Sequence, residues 1–146
     1  MIREWAQDLA KPTKFNNGVS SCPFALPAID AGEVSTLISS NLWLDVLSKS
    51  LEFETLGQKV LMIFAPTYED GYEKLESQCM ALNDVFSASN LDVWLLAGKR
   101  DDVVVFVQRW SDLEKAAAKL KKLGYYANYE PDDYERHILA RQKRSA

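Results

Sequence analysis

Residues Glu33–Glu52 read EVSTLISSNLWLDVLSKSLE. Val34, Leu37, Ile38, Leu42, Trp43, Val46, Leu47 and Leu51 recur at the three- and four-residue intervals of a helix side. Asp30 and Glu33 offer a helix start just before them. Ser39-Ser40-Asn41 is the place where the run would divide in two, because these side chains compete for backbone hydrogen bonds. The expectation is helical structure with an apolar surface wide enough to need a sheet, or a partner, to pack on.

The sheet is sought downstream. EFETLGQKVLMIFAP, from Glu52, becomes continuously apolar and stops at Pro66, a strand strongest over Lys59–Ala65. Thr67 and Asp70 then resemble a helix start. Tyr68, Tyr72, Leu75, Cys79, Leu82 and Phe86 are spaced four, three, four, three and four, one continuous helical stripe. LDVWLLAG and DVVVFVQRW, joined by a turn containing Gly98, predict a β-hairpin. Ser111-Asp112-Leu113-Glu114 is a capping box that opens a further helix, and Gly124 closes it. YYANYE reads as a short strand, and PDDYERHILARQKR as a last helix with Pro131 at its start.

From Phe53 to Glu130 the order is strand, helix, strand, strand, helix, strand. That order predicts an α+β protein with a ferredoxin-like split β-α-β sandwich, its antiparallel four-stranded sheet ordered 4-1-3-2. Helices would cover one face, and runs such as VVVFV cannot leave the other bare. The expected organisation is a single domain over 1–146. It has an N-terminal helical cover (1–51), the ferredoxin-like core (52–130) and a C-terminal helix and tail (131–146). MIREWAQDLA begins the cover as an amphipathic helix with Ile2, Trp5, Ala6 and Leu9 on one side.

Bulk properties narrow the function. The chain has 146 residues, 47% hydrophobic and 26% charged, as expected for one soluble domain. Its 17 basic and 21 acidic residues leave a net charge of −4, which argues against nucleic-acid binding. VVVFVQRW also lacks the alternating aromatics of an RNA-recognition strand. The apolar runs are too short for a membrane span, and the N-terminus has no secretory pattern. Two cysteines point to a reducing, cytoplasmic setting. One histidine and two distant cysteines offer no metal-ligand spacing, and no glycine-rich phosphate loop joins a strand to a helix, so no metal or cofactor is expected.

The remaining candidates are individual side chains. Cys79 belongs to the apolar stripe and reads as core. Cys22, after two serines and before Pro23, could cap a helix whose N-terminus would lower its thiol pKa. His137 is the only histidine, and Tyr134 and Arg141 share its helical side. A catalytic Cys22–His137 pair requires the two to meet. Tyr125, Tyr126 and Tyr129 with Arg109 and Trp110 make an aromatic and cationic patch. Arg109, Trp110, Tyr126 and Arg141 are the candidate binding residues.

Trp5 in the first helix, Cys22-Pro23-Phe24-Ala25, and KVLMIFAP at Lys59–Pro66 together resemble an uncharacterised bacterial family. That family has a tryptophan-bearing first helix, a CPFA motif and a TTLLVHP-like strand. Its histidine before proline is Ala65 here, and its later proline-and-histidine segment is replaced by AGKRDDVVV. The resemblance implies no reaction; it draws attention to Cys22. Three functions fit these residues. The first is a non-catalytic binding or regulatory module. The second is a thiol-dependent enzyme or redox protein using Cys22 with His137. The third is a structural subunit that self-associates, as a homo-oligomer, through the sheet edge or the Leu42–Leu51 helix.

Overall fold

The computed structural model describes Glu4, Gln7, residues 25–99 and residues 101–144. The chain divides into two compact units, residues 32–110 and residues 1–31 with 111–146. Among the described residues, no helix is long and apolar enough to cross a membrane.

Helix α1 (Ala25–Asp30) precedes the sheet unit in the chain. That unit then runs β1 (Val34–Ile38), α2 (Leu42–Glu52), a 3-10 turn (Phe53–Thr55), β2 (Val60–Ala65), α3 (Tyr72–Ala88), β3 (Trp94–Lys99) and β4 (Val103–Gln108). The sheet is mixed, with spatial order β1-β2-β4-β3. Strand β1 runs parallel to β2, with Val34 opposite Val60 and Ile38 opposite Phe64. Strand β4 runs antiparallel to both β2 and β3. The crossover through α3 therefore skips one place, and the returning arm of the hairpin fills it.

This corrects the expected antiparallel 4-1-3-2 ferredoxin-like sheet. The edge beside β2 is taken by Val34–Ile38, not by YYANYE, whose residues up to Asn128 form turns. Val34, Thr36 and Ile38 are β-branched, a composition that suits a pleated strand and weakens a helix. The helical start expected at Asp30 and Glu33 is instead a helix end and a turn through Gly32 (φ +71°). The break falls at Ser39–Asn41. The Ser39 N–H donates to Phe64 O (2.8 Å) and extends the ladder by one bond. The Ser39 hydroxyl donates to the Asp45 carboxylate and accepts from the Asn41 N–H (3.1 Å). A serine that satisfies three groups at once ends the strand and starts α2.

Period-two alternation assigns the sheet faces. Leu61, Ile63, Val105, Val107 and Leu95 form one apolar cluster with Leu42, Val46 and Phe53 of the α2 region and Leu75, Cys79 and Phe86 of α3. Met62, Val104 and Trp94 alternate onto the opposite face and are buried too. Burial on both faces explains why these strands read as unbroken apolar runs. Gly98 is required by close approach, since a Cβ there would lie 2.7 Å from the Phe106 ring. Helix α3 starts at Tyr72 after Gly71, so Thr67 and Asp70 do not cap it and Tyr68 precedes it.

The second unit contains α1, most of α4 (Trp110–Lys122), α5 (Pro131–Tyr134), a π-helical segment (Glu135–Leu139) and α6 (Ala140–Gln142). Helix α4 begins at Trp110, so Ser111 lies inside it and not at its cap. Gly124 (φ +76°) follows it, as expected of a helix stop. MIREWAQDLA lies outside the described residues except for Glu4 and Gln7, which are helical.

Candidate functional site

Cys22 lies outside the described residues, so its expected encounter with His137 is not described. His137 is half-buried in the π-helical segment. A π turn takes in more residues than an α turn, so it rotates the residues after it relative to those before it. The three-and-four spacing of Tyr134, His137 and Arg141 consequently does not define one side. Cys79 is inert: burial, with a smaller contribution from Glu76, pushes its thiol up to about 12. At neutral pH it carries no nucleophilic thiolate.

Of the four candidate binding residues, Arg109 and Trp110 belong to the sheet unit, and Tyr126 and Arg141 to the other. Arg109 follows β4 in the sheet unit. Its Nη1 donates to Gln58 O (2.6 Å), and its guanidinium lies 5.0 Å from the centre of the Phe53 ring. It ties the loop before β2 to the core. Trp110 comes next, as the half-buried first residue of α4.

Tyr126 and Arg141 do meet, in the other unit, through a side-chain hydrogen bond. Arg141 is only 5% exposed, and its Nε donates to Glu114 Oε1 at 2.6 Å, joining α6 to α4. Tyr126 makes edge contacts with Tyr125 (5.0 Å), Tyr129 (5.2 Å) and Tyr134 (5.8 Å). Burial raises the Tyr126 and Tyr129 hydroxyls, and Arg141 opposes the rise in both. The four rings pack against one another, with Arg141 hydrogen-bonded to Tyr126 among them. Within their own unit these tyrosines group with Tyr134, Arg141 and, through Arg141, Glu114. Nearby in sequence, Glu130, Asp132, Asp133, Glu135, Arg136 and Lys143 line a shallow, mostly acidic hollow. Its Arg136 is paired with Asp133 (2.6 Å). Among the described residues, no group of three His, Cys, Asp or Glu side chains is placed to hold a metal ion.

Helix α2 carries what those candidates lack. Leu42 and Val46 are buried towards the sheet, and Phe53 continues the same side. On the opposite side Leu44 is 63% exposed and Leu51 71%, with Leu47 on the flank at 40%. Three leucines facing water on one helix are unusual, because that side of a surface helix is normally polar. The signal was in the sequence: Leu42, Trp43, Leu44, Val46, Leu47 and Leu51 are more apolar residues than one helix side can bury. Compared with known family models, curated proteins and solved structures, the chain finds no match.

Proposed function

We propose that this chain is a small, non-catalytic binding module that engages protein through the solvent side of α2. The observation that carries the reading is the exposed stripe of Leu44, Leu47 and Leu51. Among the described residues, Leu42, Val46 and Phe53 anchor the helix to the sheet without it. An apolar surface kept in water without a structural task has its use in an interface. The two arginines singled out from the sequence support the same reading, because Arg109 and Arg141 are committed to internal contacts. A cytoplasmic setting fits the buried free thiol of Cys79.

The test is binding of a small apolar dye, anilinonaphthalene sulfonate, to dilute folded protein. Wild type should bind it and brighten it, and Leu44→Glu/Leu51→Glu should lose most of the signal while unfolding with the same cooperativity. Equal dye binding by the two proteins would remove the α2 surface from the account.

A further inference from the structure

We infer that the outer edge of β1 pairs with β1 of a second copy of this chain, antiparallel across a twofold axis, so that two sheets become one. The inference concerns a surface other than the α2 stripe and does not rest on it. Strand β1 ends the sheet order and pairs with β2 alone. Glu33 O accepts from the Val60 N–H (3.2 Å), and the Ser39 N–H donates to Phe64 O (2.8 Å). By the alternation of a parallel ladder, the odd-numbered residues of β1 turn their backbone groups towards β2, and Val34, Thr36 and Ile38 turn theirs outward. Among the described residues, nothing bonds to those outward N–H and C=O groups. Thr36 is exposed, and Ile38, at 76%, is the most exposed large apolar side chain among the described residues. The opposite edge differs: the Asn83 and Tyr72 side chains of α3 occupy backbone groups of β3 at Leu95 and Ala97. Proteins protect an edge with such cover, or with charge, proline or a bulge. VSTLI has no charge, no proline and a regular register.

A row of unpaired donors and acceptors at strand spacing calls for an extended main chain. The side chains suit another β1. With the axis at Thr36, Val34 of each copy faces Ile38 of the other and Thr36 faces Thr36, each pair exchanging both N–H···O bonds. The β-branched outward residues suit a pleated pairing, Thr–Thr is a favourable cross-strand pair, and Val34 covers the exposed Ile38. Charge also favours this approach. Each copy carries a net charge of −4, so two copies repel in general. From Val34 to Leu44 there is no charged side chain. Glu33, at the near end, is offset by Lys59 (3.1 Å) and would face Ser39 of the other copy. A strand of five residues contributes less than the roughly 800 Å² per partner of a standard interface, so the dimer is weak and depends on concentration.

Sedimentation velocity on the full chain from about 5 µM to about 1 mM, the range set by so small a contact, tests this. The expected result is a rise from one chain mass towards two. Thr36→Pro removes an outward N–H and no bond to β2, a place where an edge strand accepts proline, and should stay monomeric throughout. Ile38→Lys leaves the backbone intact and puts a charge into the edge; it should associate at least about tenfold more weakly. Amide exchange locates the contact. Thr36 and Ile38 should gain protection as concentration rises, while Leu37 and Ser39, turned towards β2, stay protected throughout. On a Cys22→Ser background, Thr36→Cys chains should link to one another faster than Leu44→Cys chains, whose thiol lies on α2. A monomer at the highest concentration would overturn the inference, as would undiminished association of Ile38→Lys or faster linking of Leu44→Cys. Any of these results leaves the dye test of α2 to be decided separately.

Discussion

Replacing Asn83 should reveal how firmly α3 holds the edge of the sheet. Asn83 is 2% exposed. Its Oδ1 accepts from the Leu95 N–H at 2.7 Å, and its Nδ2 donates to the Leu95 carbonyl at 3.0 Å. Leu95 thus turns its polar backbone groups away from β4 and towards the helix. Asn83→Ala removes two bonds of about 1 kcal/mol each and leaves a buried donor and acceptor at about 1–3 kcal/mol apiece. Allowing for partial relaxation, a loss of about 3–5 kcal/mol is expected, a large part of a typical domain's stability. Asn83→Asp is the sharper probe. A protonated carboxyl can still donate to the Leu95 carbonyl and accept from its N–H. An ionised one faces that carbonyl with an oxygen, in a buried place, so its folded pKa lies above the unfolded value of about 3.9. A raised carboxyl pKa means stability is retained below the unfolded value and lost as pH rises through the folded one. Urea unfolding at pH 4, 5.5 and 7 should show Asn83→Asp close to wild type at the lowest pH. Its deficit should then grow by up to about 1.4 kcal/mol per pH unit. A deficit flat with pH, or Asn83→Ala within about 1 kcal/mol of wild type at pH 7, would contradict the double hydrogen bond.

Other substitutions address separate parts of the packing. Ser50→Ala should be neutral or stabilising by up to about 1 kcal/mol in urea unfolding, since the buried Ser50 hydroxyl has no hydrogen-bond partner among the described residues. Gly98→Ala should cost about 1–3 kcal/mol, because its Cβ would press on the Phe106 ring, and Phe106→Leu should relieve part of that loss. Glu114→Gln should destabilise the terminal helices more than Arg141→Met does, as judged by thermal melts. The first takes the carboxylate from a buried guanidinium, and the second leaves a carboxylate that is 24% exposed. Cys79 should resist iodoacetamide at pH 8 in the folded protein and react at once in urea, because burial holds the thiol protonated.

The sheet's middle was legible in the sequence because its signals are long and unambiguous. Lys59–Ala65, the two strands of the hairpin and the stripe from Leu75 to Phe86 became the elements expected of them, although Gly98, expected in the hairpin turn, lies within β3 opposite Val104. The edge was not legible. VSTLI is five residues, too short to show a period, and its leucine and isoleucine extend the helical pattern of α2 without a break. Only the β-branched composition and Ser39 distinguish it. YYANYE has the aromatics of a strand, but its tyrosines are used against one another and beside Arg141. The candidate sites suffered from the same limit. Arg141 and Tyr126 were named together, yet the partner that defines their role, Glu114, is 27 positions away from Arg141. The exposed side of α2 could have been found by counting, since leucines there outnumber the places a single buried side provides.

The most direct measurement of the central claim is a titration of the full chain with anilinonaphthalene sulfonate, followed by amide proton and nitrogen chemical shifts. As dye is added the shifts should move along Leu44–Leu51 and stay fixed at the β3 edge and around Arg141. Shifts that do not move, or that move along β3 or the terminal helices while α2 stays still, would contradict α2 as the surface through which this protein binds.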